Sequence, residues 1–298
     1  FGSSPTIPEG IIKQIADNGL AEIVMQQASH KESLKAAKNT DGKKKSSIKG
    51  IPLLDDANKA GGRESHKCTL ILTEGNSAKT MAVAGLSVIG KDYYGVFPLR
   101  GKVLNVKDTS DTKIADNKEI TNVKKIMGLQ KGKQYTDTKD LRYGRIMIMT
   151  DQDHDGSHIK GLILNLFHSE WHELFKNENF ICCLATPIVK AIKGKNEKWF
   201  YNQSEYNIWH EENPNGWSIK YYKGLGTSTT KEAKEYFKTM KVTHYTYEDL
   251  ISNDSMTLAF SKDQADDRKD WLQTYNPVSY THLRAHETVL DLVCRLLL

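Results

Sequence analysis

The sequence predicts an α/β fold, a mainly parallel sheet flanked by helices, with helical and irregular segments on either side. Three observations predict it. Short apolar runs at residues 68–73, 93–99 and 145–150 have the length and character of buried strands. Helix-compatible stretches come after the first and third runs. Two of the runs also end on acids, Glu74 and Asp151, and open parallel sheets collect their reactive groups beyond the carboxyl ends of strands.

Before the first strand, Ile11, Ile12, Ile15, Leu20, Ile23 and Val24 recur at helix-like spacing, so residues 1–30 are expected to be helical in part. The lysine-rich stretch at 29–49, with Lys43-Lys44-Lys45 inside it, reads as a solvated linker or loop. After Thr73 comes Glu74-Gly75, then Ser77, which can start a helix, and residues 78–88 carry helical apolar spacing. The second strand contains Pro98. Residues 107–140 are polar and mixed, an insert or a small helical excursion.

After Gly156 an amphipathic helix is expected. Ile159, Leu162, Ile163, Leu166, Phe167, Trp171, Leu174 and Phe175 keep the i, i+3, i+4 rhythm. Strand-like runs at 181–189, 198–202 and 217–222 come next. They lead into the glycine turn Lys223-Gly224-Leu225-Gly226-Thr227 and a helix over 230–240. There is no internal repeat.

Composition bounds the function only loosely. Hydrophobic residues make up 38% and charged residues 27%, ordinary for a globular protein, and no stretch approaches the roughly 18 apolar residues of a membrane span. The net charge of +5 is compatible with a polyanionic partner without establishing one. The four cysteines form no CxxC pair and no zinc spacing; three of them sit in apolar runs, which points to a reducing, intracellular setting. The first residue is Phe1, so the chain reads as a piece of a longer protein.

The most informative segment is Asp151-Gln152-Asp153-His154-Asp155-Gly156. Its carboxylates alternate, and on an extended strand they would project from one face. Three like charges that close repel unless a cation neutralises them, and an all-oxygen set suits Mg²⁺. Such a cation stabilises charge developing on an attacked phosphodiester. A calcium EF-hand loop also begins D-x-D-x-D-G, but its twelfth position should be Glu and here is Leu162. A phosphate loop at Gly85 to Lys91 fails as well. Asp92 stands where Ser or Thr is needed, and the segment lies after a helix and before a strand. A solvated acidic turn capping the next helix remains the plain structural reading.

Four motifs then take the reading further. Glu74-Gly75-Asn76-Ser77-Ala78-Lys79, the run from Pro98 to Val106 (P-L-R-G-K-V-L-N-V), the run from Asp151 to Ile159, and Lys223-Gly224-Leu225-Gly226-Thr227-Ser228 resemble, in order and spacing, segments of type IIA DNA topoisomerases. The resemblance covers most of residues 5–275. Gln152, Lys160-Gly161, the Thr-Ser after the glycine turn and Lys49-Gly50-Ile51-Pro52 are similar to the eukaryotic and viral homodimeric branch.

The resemblance implies a Toprim fold at 67–245. It places the end of a transducer region and a linker at 1–66, and the start of the DNA-binding and breakage region at 246–276. It implies Glu74, Asp151 and Asp153 as catalytic metal ligands, with Glu74 also a proton shuttle, and Asp155 as support for a second metal position. Lys102, Asn105, Arg268 and Lys269 are similar to residues that contact DNA. The implied metal is Mg²⁺, with Mn²⁺ or Ca²⁺ as substitutes. In the whole enzyme the resemblance implies a homodimer acting on double-stranded DNA in the nucleus, or in the cytoplasm of a virus-infected cell. A separate N-terminal domain binds ATP, and a tyrosine of a winged-helix domain attacks the DNA backbone. No tyrosine of this chain stands in an Arg-Tyr context similar to that nucleophile, so the chain alone is expected to be inactive.

Two departures stand out. The family's E-G-D-S-A reads Glu74-Gly75-Asn76 here, which keeps size and hydrogen bonding but loses a charge, so changed metal dependence is expected. After about Asn276 the resemblance stops, and residues 277–298 read as adapter-like, non-native sequence; the other reading is a genuine C-terminal helix. Two alternatives to the topoisomerase reading remain. One is a stand-alone Toprim nuclease or primase-like protein. The other is a non-catalytic DNA-binding module that uses the acids for folding.

Overall fold

Alternation along the apolar runs builds the centre of the molecule. In β1 (Thr69–Glu74), Leu70 and Leu72 enter one core while Ile71 enters another. In β3 (Arg145–Met149), Ile146 and Ile148 join the first, and Met147 and Met149 the second. Successive side chains point to opposite faces of a strand, so a run apolar at every position must be covered on both sides. The computed structural model, which describes residues 8–274 and 286–288, shows that it is.

β2 (Tyr94–Leu99) and β3 flank β1, and β4 (Ile181–Leu184) lies beyond β3, all parallel. β8 (Val242–Thr246) pairs antiparallel with β4, and β9 (His286–Thr288) adds a parallel edge, giving the order β2-β1-β3-β4-β8-β9. This mainly parallel sheet has the architecture of the Toprim fold. One face is covered by α3 (Gly75–Ile89) and α9 (Thr230–Thr239). They meet so closely that a Cβ at Gly85 would lie 2.1 Å from the Phe237 ring. The other face is covered by α5 (Lys118–Met127), α6 (His154–Glu170) and α10 (Asp249–Phe260). A second, antiparallel sheet of order β6-β5-β7 is made from β5 (Val189–Lys193), β6 (Asn196–Phe200) and β7 (Ser218–Tyr221). Phe200, Tyr206 and Trp209 form its own small core.

Several expectations are corrected. The stretch at 29–49 is not all linker: α2 spans Leu20–Thr40, after α1 at Glu9–Asp17. Its residues are mostly good helix formers, and its end is anchored where Lys124 Nζ donates to Thr40 Oγ1 at 2.8 Å. The run at 181–189 is two strands in two sheets. Pro187 has no N–H to donate and breaks the ladder between β4 and β5. The helix after Gly156 ends at Glu170, with Trp171 turned away (φ −141°, ψ 62°) and α7 (His172–Phe175) resuming beyond it. Residues 107–140 hold α4 (Asp111–Asp116) as well as α5. At the far end, α11 spans Ala265–Thr274. Most of 277–298 lies outside the described residues.

Candidate metal centre at the carboxyl end of the sheet

Register places the acids together. Thr73 of β1 stands opposite Met149 of β3, so Glu74 ends its strand beside Thr150 and Asp151. The Asp151 N–H donates to Glu74 Oε2 at 3.4 Å. Asp151 is held from a third direction by the glycine turn: Leu225 N–H donates to its Oδ1 at 2.7 Å. A Cβ at Gly224 would lie 2.5 Å from Asp151 Oδ2, so no larger residue fits without movement. Gly156 is required for the same kind of reason, since a Cβ there would lie 2.0 Å from the Asp151 carbonyl oxygen.

The alternating display expected of Asp151, Asp153 and Asp155 is not what forms. The strand stops at Met149 and α6 starts at His154. Asp153 is its N-cap, in extended conformation, with Oδ1 accepting from Gly156 N–H at 2.8 Å. A carboxylate there satisfies an otherwise unpaired helix N–H and so starts the helix before Asp155. Asp155 therefore sits on the first helical turn. It is exposed, and its Oδ1 lies 2.7 Å from Lys102 Nζ.

Charge is unevenly compensated here. Burial pushes the Glu74 carboxyl above its usual range; the negative charges of Asp151, Asp153 and Asp155 add to this, against the Asp151 N–H. Lys102 has the opposite effect on Asp155: its hydrogen bond and its charge hold that carboxyl below the usual range. Burial lowers nearby His158, and the Lys102 charge lowers it further. Lys160 of α6 is only 5% exposed, and its Nζ donates to Gln152 Oε1 at 3.5 Å. Among the described residues, no three His, Cys, Asp or Glu side chains close into a metal cage. The acids form an open rim instead.

The four expected DNA contacts are placed differently from one another. Lys102 reaches the acidic rim. Asn105 is engaged inside the protein: Nδ2 donates to the Phe260 carbonyl at 2.9 Å, and Oδ1 accepts from Asn165 Nδ2 at 2.8 Å and from Lys107 N–H at 3.1 Å. Arg268 Nη1 donates to the carbonyls of Leu258, Ala259 and Ser261 and so closes the end of α10. Lys269 is exposed and pairs with Asp266 at 2.7 Å. Sequence reasoning missed Asn165, which is fully buried in α6, and Lys79, which ties α3 to Asp55 at 2.8 Å. A polar residue interrupting the contiguous apolar run 162–167 was the available signal for Asn165.

Comparison with known proteins accords with this geometry. The Toprim domain model matches residues 69–183, and the model of the C-terminal associated domain of TOPRIM matches residues 184–293. The chain is 51% identical over 282 residues to human DNA topoisomerase 2-alpha, a match covering 92% of this chain and 18% of that protein. It is 48% identical over 296 residues to DNA topoisomerase 2 of Pisum sativum, covering 97% of this chain and 20% of that protein. The chain thus carries a Toprim domain with its C-terminal associated domain and is homologous over most of its length to eukaryotic DNA topoisomerase 2. Its fold matches a Plasmodium falciparum structure described as the topoisomerase II DNA-binding, cleavage and re-ligation domain. There the TM-score is 0.81 at 50% identity, over 85% of this chain and 35% of that one. The chain spans about a fifth of the length of the curated type II topoisomerases it matches. No helix among its described residues is long and apolar enough to cross a membrane.

Proposed function

We propose that this chain supplies the metal-holding part of the cleavage and religation centre of a type II DNA topoisomerase, with double-stranded DNA as substrate. The observation that carries the reading is the open carboxylate rim, in which Glu74 ends β1, Asp151 lies two residues beyond the end of the adjacent parallel β3, and Asp153 and Asp155 start the next helix. The donor set fits the ion, because oxygen-only ligands with room for water and phosphate suit Mg²⁺. Glu74, Asp151 and Asp153 would hold it, with Asp155 supporting a second position. When bound, the metal supplies Lewis-acid stabilisation of the charge on a phosphate under attack. Glu74 would also hold and return a proton at its carboxylate. The Leu225 N–H fixes the rotamer of Asp151. Lys102 and Lys269 would meet phosphates, while Asn105 and Arg268 would act by holding the 102–107 segment and the end of α10 in place.

The attacking tyrosine and the ATP-driven cycle would belong to other parts of a homodimeric, nuclear enzyme, so this chain alone would not turn over. Residues 1–66 would then close a transducer region, 67–245 form the Toprim unit, and 246–276 open the breakage region, with 277–298 non-native.

Thermal unfolding of the chain across a MgCl₂ series at constant ionic strength tests the reading. A saturable rise in midpoint is expected, lost in Asp151→Ala and Asp153→Ala. Equal responses in wild type and both variants would favour acids used only for folding.

A further inference from the structure

The Lys102–Asp155 pair is unlike the other ion pairs of the chain in where it sits. Its lysine lies just past the end of β2, one strand over from Glu74, and its aspartate belongs to the carboxylate rim. Four carboxylates line that open rim. The only side-chain ion pair formed by any of them among the described residues is this one, at 2.7 Å. Both side chains are substantially exposed, 51% for Lys102 and 67% for Asp155, so burial does not enforce the contact. Exposed pairs are weak and exchange readily. Among the described residues, Lys102 is the one basic side chain that pairs with a carboxylate of the rim. Other cationic or titratable groups facing Asp155 are His154 and His158, and burial together with the Lys102 charge keeps His158 toward its neutral form.

We propose that Lys102 is a built-in counter-cation of the empty carboxylate rim, displaced when a divalent metal binds and thereby released to grip a DNA phosphate. This rests on the reading of the rim as a metal site. It makes Lys102 a positioning residue that couples the two ligands. Without metal, its ammonium is engaged by Asp155. With metal, Asp155 is compensated by the metal, and the same ammonium lies beside the rim with no carboxylate to hold it. Linkage then requires DNA to raise metal affinity by the factor by which metal raises DNA affinity. A lysine not engaged by the rim would add nothing to that coupling, since its phosphate contact would be equally available with or without metal.

The test uses the full 298-residue chain and Mn²⁺, whose free concentration is read by electron paramagnetic resonance, with and without a short DNA duplex at fixed ionic strength. Lys102→Met should bind Mn²⁺ more tightly than wild type without DNA, by roughly two- to fivefold, the range expected for losing an exposed competing pair. It should also weaken the mutual enhancement between Mn²⁺ and duplex. Lys102→Arg should behave as wild type. Circular dichroism checks that each variant is folded, and Lys102→Gln gives a second neutral variant if Lys102→Met is not. Binding of Mn²⁺ by wild type with unchanged affinity and unchanged coupling in the neutral variants would overturn the role of Lys102 and leave the metal site standing. No saturable Mn²⁺ binding by any form would overturn both.

Discussion

Two glutamates of this chain end up in opposite electrostatic states, and the contrast separates a site from a strut. Glu232, on the first turn of α9, is 8% exposed and fully provided for. Its carboxylate accepts from Thr229 N–H at 2.8 Å, from Lys220 Nζ at 2.9 Å and from the Tyr222 hydroxyl, with Lys190 Nζ 3.9 Å away. Burial alone would push its pKa up. The Thr229 N–H, Tyr222 and Lys220 outweigh that and hold it at about 2. Glu74 has one long backbone hydrogen bond and three carboxylates for neighbours, and its pKa moves the other way. A saturated carboxylate stabilises the fold. An under-compensated one raises the folded state's free energy until a cation or proton arrives, as perturbed groups at functional sites do.

The largest effect should come from Glu232→Ala. It leaves Lys220 and the Tyr222 hydroxyl without their acceptor, and a loss of about 2–4 kcal/mol is expected by urea denaturation. A loss under about 0.5 kcal/mol would break the contrast. Gly224→Ala comes next, since its methyl group must displace the Asp151 carboxylate or the turn that seats it. A destabilisation of roughly 1–3 kcal/mol is expected, together with loss of the magnesium-dependent rise in unfolding midpoint. A variant that keeps the full rise would show that Asp151 needs no such seat.

Acid titration sharpens the comparison further. With a folded pKa near 2 against an ordinary 4.5, Glu232 contributes stability present above about pH 4.5 and lost as pH falls toward 2. Glu74 has the opposite sign: its folded pKa is raised, so the folded state binds the proton more readily and its penalty is relieved as pH falls. Stability measured from pH 7 to pH 2 should therefore lose part of its acid slope in Glu232→Gln. Glu74→Gln should be as stable as wild type at pH 7, or more so. A destabilised Glu74→Gln would mean that its hydrogen bond to Asp151 outweighs the repulsion.

The smallest effect is expected from Asn76→Asp. This residue is exposed on the first turn of α3, where a negative charge gains from the helix N-terminus but adds to the rim. The two contributions oppose, so stability should change by less than about 0.5 kcal/mol while the magnesium midpoint of an assembled enzyme shifts to lower concentration. An unchanged midpoint would separate position 76 from the site.

Much of the centre was legible in advance. Glu74 and Asp151 could be placed at strand ends because a buried parallel strand is a short, continuous apolar run. The first polar residue after such a run lies at the sheet's carboxyl edge whatever its neighbours are. The geometry of Asp155 was not legible, because D-x-D-x-D reads as alternation only if the strand continues. The strand ends at Met149, and a cap bond from Gly156 to Asp153 starts the helix before Asp155 is reached. Arg268 and Asn105 carried the same difficulty. A cation or an amide in a family motif reads as a ligand contact, and only the fold shows that one closes α10 and the other bridges Phe260 to Asn165.

By itself, then, the sequence determined what depends on periodicity and local chemistry: the two-sided strands, the helix after Gly156, the acids beyond the strands and the glycine turn as a motif. Tertiary structure decided what depends on segments far apart in the chain: Leu225 holding Asp151 from 74 residues away, Lys102 reaching Asp155, and Pro187 sending β4 and β5 into different sheets. The reason is physical. Backbone periodicity is a property of neighbours, whereas compensation of a charge depends on whichever donor the closed fold brings within about 3 Å.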